Sequence, residues 1–309
     1  MALAVHDSVL DMIGGTPIVR LRNLSPAGGG EVWAKLEYFN PGGSLKDRTA
    51  LGMILEAEQR GVLKRGAVLI EPTAGNTGIG LALVGIQRGY KVVCVMLEKF
   101  SVEKQLIVKA LGGEVVLVPT AEGMTRAIQL AHELAARTPG GVVLHQFENP
   151  GNPDYHQATT AEEIWEQTEG RLAAVVVAAG TGGSFTGVAR LMKERAPDVQ
   201  RVLVEPVGSI FGGGAPAPHI VEGIGNSSFI PRTLELALAT RIVTVSDTDS
   251  LATVLALARQ EGLLVGGSAG AAVWGALEVA RACRPGERVV TILPDAFERY
   301  ASKRYLPLE

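Results

Sequence analysis

Val68-Leu69-Ile70-Glu71-Pro72-Thr73-Ala74-Gly75-Asn76-Thr77-Gly78 runs from an apolar, β-branched segment through a turn of small polar residues into an apolar-periodic stretch that reaches Arg88. The pattern predicts a strand over 68–71, a glycine loop and a helix over 78–88. The same unit recurs on either side. Further strands are predicted at 32–36, 91–96, 114–118, 142–147, 174–178, 201–205, 241–245 and 288–293. Helices are predicted at 102–110, 122–136, 159–166, 184–195, 251–260 and 269–282. Many strand segments are apolar at successive positions, as expected of parallel strands buried on both faces. Alternating β and α segments predict an α/β fold with open, mostly parallel twisted sheets flanked by helices.

Composition narrows the function classes. The chain has 309 residues, enough for about two domains, and 47% of them are hydrophobic. No apolar run reaches the ~18 residues of a membrane span. Met1-Ala2-Leu3-Ala4-Val5-His6-Asp7 shows no basic segment before an apolar one, so no signal peptide is expected. Net charge is −3 without a Lys/Arg-rich block, which argues against nucleic acid and anionic membrane as partners. Cys94 and Cys283 have no Cys or His at metal spacing, so no metal site is expected. Two free cysteines fit a reducing, cytoplasmic compartment.

A second glycine turn, Asn40-Pro41-Gly42-Gly43-Ser44, leads into Leu45-Lys46-Asp47-Arg48 and an apolar-periodic stretch that stops near Gly61. Ser44 reads as the N-cap, which places Lys46 in the first helical turn. The positive end of the helix dipole disfavours an ammonium there and should lower its pKa, leaving a nucleophilic amine. The bland reading is a solvated surface lysine. Two more strands run into glycine turns that open helices, Gly180-Thr181-Gly182-Gly183-Ser184 and Gly266-Gly267-Ser268-Ala269-Gly270. Ligands of α/β sheets bind at such strand ends, where helix N–H groups are free. The Gly180–Ser184 loop suits a phosphate, and tight helix–sheet packing is its structural alternative. The Thr73-Ala74-Gly75-Asn76-Thr77 loop suits a carboxylate, against a plain capped turn. Ser268 alone reads as an N-cap. An activatable lysine, a phosphate cradle and a carboxylate loop are together the parts that an enzyme using pyridoxal 5'-phosphate needs.

These segments, in this order, resemble the cysteine synthase/cystathionine β-synthase family of fold-type II pyridoxal-phosphate enzymes, whose architecture is like that of the tryptophan synthase β chain. The resemblance runs from Ile13-Gly14-Gly15-Thr16-Pro17 to Leu293-Pro294-Asp295. It implies that Lys46 forms the Schiff base with the cofactor and that Asn76 meets the ring oxygen. It implies that Gly180, Thr181, Gly182, Gly183 and Ser184 bind the phosphate and that Ser268 meets the pyridine nitrogen. Thr73, Ala74, Gly75, Asn76, Thr77, Gln146 and Gly223 are implied for substrate. The implied reaction is β-replacement on O-acetylserine or serine by a thiol, through an α-aminoacrylate. The implied partners are thus a small amino acid and a thiol. The resemblance also implies a homodimer. It implies a smaller mobile domain at 38–148 with the substrate loop, and a larger domain at 1–37 plus 149–309 with the phosphate loop. The turn-rich segment Phe147-Glu148-Asn149-Pro150-Gly151-Asn152-Pro153 reads as the crossing between them.

Ala74 stands where many relatives carry serine, and Ser184 where threonine is usual. There is no haem-binding extension or regulatory module in the sequence, so a bare catalytic core is expected. Glu222-Gly223-Ile224-Gly225, Gly266 to Gly270, Glu205-Pro206-Val207-Gly208-Ser209-Ile210, Thr159 to Ile164 and Leu293-Pro294-Asp295 lean toward cystathionine synthesis, with homocysteine as thiol. Cysteine synthesis from sulfide is the alternative. A serine/threonine dehydratase would carry a different lysine motif and a Gly-Asn-His loop. Gly208 to Arg232 is too long for an ordinary connection and is expected to serve the site.

Overall fold

Val175, Val176 and Val177 are each at most 2% exposed, and continuous burial of this kind builds the centre of a sheet covered on both faces. The computed structural model describes residues 5–303, so the expectation drawn from Met1 to Ala4 lies outside the described residues. The elements in chain order are β1 (Ile18–Arg20), β2 (Glu31–Leu36), α1 (Lys46–Gln59), β3 (Val68–Pro72), α2 (Asn76–Arg88), β4 (Lys91–Leu97), α3 (Val102–Ala110), β5 (Glu114–Val118), α4 (Gly123–Arg137) and β6 (Gly141–Val142). There follow α5 (Gly151–His156), α6 (Glu162–Gln167), β7 (Ala174–Ala178), α7 (Gly183–Arg195), β8 (Gln200–Pro206), β9 (Arg241–Val245), α8 (Asp247–Ala256), α9 (Gly267–Ala280) and β10 (Arg288–Leu293).

The strands form two sheets. One has the order β1-β2-β10-β7-β8-β9 and the other β5-β4-β3-β6. Every pairing is parallel except β1 with β2. This is the α/β architecture expected from the sequence. Each sheet has its own apolar core. Val176, Val204 and Val289 belong to one, and Leu69, Ile79 and Val95 to the other.

The structure corrects several local expectations. The strand expected at 142–147 pairs only through Gly141 and Val142. Beyond them the Glu71 carboxylate accepts the N–H groups of Leu144, His145 and Gln146, at 3.1, 3.1 and 2.8 Å, and so draws them away from the ladder. His145 takes a left-handed φ of 60° at this bend. The three-residue strand β1 was not expected. The cap of α1 falls at Leu45 rather than Ser44, although the Ser44 hydroxyl still accepts from the Lys46 N–H at 3.3 Å. The turn-rich stretch 147–153 already contains the start of α5, because the Asn149 side chain accepts the Gly151 N–H at 2.8 Å. A π turn, Gln157–Ala161, joins α5 to α6, so the helical run begins well before residue 159. Helix α8 also starts early, at Asp247, where the Ser246 hydroxyl caps the Asp249 N–H.

Helix α1 is tied to the six-stranded sheet by buried ions. Arg48 donates to both oxygens of Glu37, at 2.8 and 3.0 Å, and to both oxygens of Glu163, at 2.6 and 2.7 Å. Lys35 donates to Glu163 at 2.6 Å. The Arg48, Glu37 and Lys35 side chains are fully buried. Burial pushes the Glu163 carboxyl up, but hydrogen bonds and charge from Arg48, then Lys35, bring it down to about 2. A carboxyl lowered on folding contributes stability that is complete above its usual 4.5 and is lost as pH falls toward 2. Arg48→Met strands the Glu37 charge and should cost about 3–5 kcal/mol in urea unfolding at neutral pH. The difference from the parent should shrink below pH 4.5. A loss under about 1 kcal/mol, the scale of an exposed pair, contradicts the assignment.

Candidate active site

The glycine loops picked out in the sequence meet at one cleft of about 590 Å3. Its wall from the four-stranded sheet is the loop between β3 and α2. The opposite wall comes from the loops after β7 and β10 and before α9. Lys46, the first residue of α1, lines it. Burial lowers the Lys46 amine to about 8, and the nearby Asp295 carboxylate partly opposes the shift. The expected direction is right, but burial is the cause rather than the helix dipole. Near pH 8 about half of such amines are neutral, against well under 1% for a free lysine.

Thr73, Ala74, Gly75, Asn76, Thr77 and Gln146 all line the cleft. Gly75 precedes α2 at a φ of 126°, a conformation only glycine adopts readily. Its N–H donates to the Thr73 hydroxyl at 2.9 Å. Thr77 donates to Gln146 Oε1 at 2.8 Å, and Gln146 Nε2 donates to the Pro72 carbonyl at 2.5 Å. The loop and Gln146 are therefore one hydrogen-bonded unit at the N-terminus of α2.

On the other wall, Gly180, Thr181, Ser184, Gly223 and Ser268 line the cleft, whereas Gly182 and Gly183 lie in the turn behind it. Gly182 caps α7 at a φ of 88°. A β-carbon at Gly180 would come within 3.0 Å of the Gly223 carbonyl, and one at Gly183 equally close to the Asn152 amide. The turn is a cradle with room for backbone only. Asn152 Nδ2 donates to Thr181 Oγ1 at 3.1 Å, which leaves the Thr181 proton for another acceptor. The irregular stretch after β8 covers this wall, with residues 218–228 in the cleft lining.

Three features were missed in the sequence. Asp295 accepts from Asn76 Nδ2 at 2.6 Å and from the Tyr300 hydroxyl at 2.5 Å. Lys104 pairs with Glu222 at 3.0 Å and stands 4.0 Å from the centre of the Tyr300 ring, and Lys303 pairs with the other Glu222 oxygen at 2.8 Å. His156 lies buried between Thr49 and Thr160, its pKa held well below 6.5 by burial and by the Lys46 and Arg48 charges. Asn76 and Asp295, Lys104 and Glu222, and Thr49 and His156 are each more than 100 residues apart, which leaves no local sequence signal for these contacts.

The residues present fit pyridoxal phosphate. The donor-rich cradle at the N-terminus of the 13-residue α7 suits a phosphate dianion. A half-buried amine of lowered pKa suits an aldehyde. Asn152 Oδ1 and Asp295 Oδ1 are buried without a hydrogen-bond partner, one beside the cradle and the other in the cleft lining. Among the described residues no cluster of His, Cys, Asp or Glu could hold a metal ion, and no helix is long and apolar enough to cross a membrane.

A sequence profile of the family described as "Pyridoxal-phosphate dependent enzyme" matches residues 9–295. A "Probable cysteine synthase" of Bacillus subtilis (strain 168) is 45% identical over 304 residues, covering 97% of this chain and 97% of the relative. Among solved structures, an O-acetylserine dependent cystathionine β-synthase from Helicobacter pylori superposes with a TM-score of 0.93 at 43% identity. It covers 98% of this chain and 100% of its own. An O-ureido-L-serine synthase superposes with a TM-score of 0.92 at 40% identity, covering 97% and 94%.

The electrostatics of the cleft can be checked directly. Asp295→Asn removes the charge that supports the Lys46 ammonium, so the amine should titrate below the value near 8 of the parent. NMR titration of the 15N-labelled lysine in cofactor-free protein reads this, and an unchanged or raised value contradicts the coupling. The profile match along nearly the whole chain and the close relatives lead to one conclusion: the chain belongs to the pyridoxal-phosphate dependent enzyme family, as a β-replacement enzyme of the cysteine synthase type.

Proposed function

We propose that this protein is a cysteine synthase, joining the β-carbon of O-acetylserine to sulfide. The observation that carries this reading is the 45% identity, along 97% of both chains, to a relative named probable cysteine synthase. It reverses the order of preference drawn from Glu222 and the neighbouring motifs. Of those residues, Glu222, Ser268 and Asp295 line the same cleft as Lys46, around which the half-reaction that both activities share would take place.

Bound pyridoxal phosphate supplies the electron sink that lets the bonds at Cα and Cβ of the amino acid break. In this reading the residues of the cleft take the following roles, which their places in its lining support. The Gly180–Ser184 turn and the N–H groups of α7 hold the phosphate. The Ser268 hydroxyl would meet the ring nitrogen and Asn76 the ring oxygen. The N–H groups of the Thr73–Thr77 loop, with Thr77 and Gln146, bind the substrate carboxylate, and at Ala74 only the backbone can contribute. Lys46 Nζ would hold the cofactor and, when free, would serve as the base that takes the Cα proton and later returns it. Gly223 and the 218–228 loop close the cleft against water. Residues 38–148 are the unit expected to move. The separate sheets β5-β4-β3-β6 and β1-β2-β10-β7-β8-β9 support that division.

A second reading, cystathionine synthesis with homocysteine, is favoured by the superposition on the Helicobacter pylori enzyme. Homocysteine differs from sulfide by a whole zwitterionic amino-acid moiety, and a site open enough to admit it also admits the smaller sulfide. Both thiols should therefore react, with sulfide preferred. Purified protein given O-acetylserine or serine, then sulfide or homocysteine, with products identified by mass, tests the assignment. Cysteine from O-acetylserine and sulfide should show the highest kcat/KM. A higher value for cystathionine formation overturns the assignment in favour of the second reading. Full turnover by Lys46→Ala overturns both.

A further inference from the structure

Arg299 is 4% exposed and lies in the 3-10 turn Phe297–Lys303, more than 200 residues from the loops it touches. Its Nη1 donates to Asn76 Oδ1 at 2.7 Å, while Asn76 Nδ2 donates to Asp295 Oδ2 at 2.6 Å. We propose that Arg299 and Asp295 are positioning residues that grip the two ends of the Asn76 amide and fix which face of it meets the cofactor. The proposal rests on the assignment of Asn76 to the ring oxygen made above.

A carboxamide has one acceptor oxygen and two N–H donors. Flipping Asn76 would set its NH2 against the guanidinium and its oxygen against the carboxylate, two like-with-like contacts at once. The partners therefore dictate the orientation, which for most asparagines is ambiguous. Asp295 uses one amide hydrogen. The second stays with a side chain that lines the cleft, as a donor for an oxygen of a bound group. Asp295 is itself held, since the Tyr300 hydroxyl donates to the same oxygen at 2.5 Å.

The same guanidinium reaches the lysine loop. Arg299 Nη2 donates to the Gly42 carbonyl, four residues before Lys46. Gly43, at a φ of 74°, leaves the space, because a β-carbon there would fall within 3.0 Å of Nη2. The Leu45 N–H donates to the Pro294 carbonyl at 2.9 Å, beside Asp295. Asn76 opens a helix of the four-stranded sheet, whereas Asp295 follows β10 of the other. The grip thus sets the distance between the cleft walls as well as the amide.

The test uses the holoenzyme and two readouts that lost stability does not move in a set direction. These are the visible absorption band of bound pyridoxal phosphate with its pH midpoint, and the cofactor dissociation constant from equilibrium dialysis. Arg299→Ala should shift band and midpoint in the same direction as Asn76→Ala and weaken cofactor binding on the order of tenfold, as loss of an orienting outer partner does elsewhere. Asn76→Ala with Arg299→Ala should match Asn76→Ala alone. Arg299→Lys, which keeps the charge and one donor, should recover part of the shift. If Arg299→Ala fails to fold, Asp295→Asn, which allows the amide to flip, carries the same expectation. A parent-like spectrum in Arg299→Ala and Asp295→Asn, beside a shifted Asn76→Ala, overturns the grip, as does additivity in the double variant. A parent-like spectrum in Asn76→Ala overturns the assignment of Asn76 itself, and the grip with it.

Discussion

Arg48 lies buried between Glu37 and Glu163, and the hydrogen bonds among these three groups tie helix α1 to the six-stranded sheet. The rest of the site depends on this contact. Lys46 is two residues earlier on the same helix, so whatever holds Arg48 also holds the amine. A buried guanidinium is tolerated only with its donors satisfied, and here two carboxylates satisfy four of them. Because Glu37 follows β2 and Glu163 lies in α6, one side chain joins three segments distant in the sequence. Lys46 can then sit among residues that desolvate its amine without being free to turn out to water.

The opposite demands on the two ends of the cleft explain its composition. The end proposed to hold the phosphate needs backbone N–H groups at close range, which Gly180, Gly182 and Gly183 allow, with Asn152 packed behind them. The lysine end needs a poorly solvated amine with one moderating charge, which Asp295 supplies. Between them, Gln146 is fixed through its side chain by Thr77 and Pro72 and through its backbone by Glu71. Burial raises the Glu71 carboxyl to about 7 even though three N–H groups favour its charge. The loop proposed to meet the substrate is therefore braced from behind by a single buried carboxyl group.

Much of this was legible in the sequence, for identifiable reasons. Parallel strands covered on both faces read as unbroken apolar runs, so β3, β4, β7 and β10 stood out. Glycine turns after β3 and β7 and before α1 and α9 marked the cleft, and every residue assigned to cofactor or substrate lines it except Gly182 and Gly183, which form the turn behind it. Contacts closed by distant partners were not legible. The two-residue extent of β6 depends on a carboxylate more than 70 residues away. Asn76, Asp295 and Arg299 are unremarkable singly and become a unit only when the fold brings residue 299 to residue 76. The lowered pKa of Lys46 was expected from the helix dipole, but it comes from burial, which no local pattern records. The thiol is not encoded in any one residue type, because the shared chemistry at Lys46 is indifferent to it.

The central claim is that Lys46, alone among the lysines of this cleft, bonds the cofactor. Lys99, Lys104 and Lys303 also line the cleft and compete for that assignment. Borohydride reduction of the holoenzyme followed by peptide mass spectrometry discriminates between them. One pyridoxyl group per chain is expected, on the peptide containing Lys46. A pyridoxyl group on Lys99, Lys104 or Lys303 instead, or no covalent label on reduction, would contradict it.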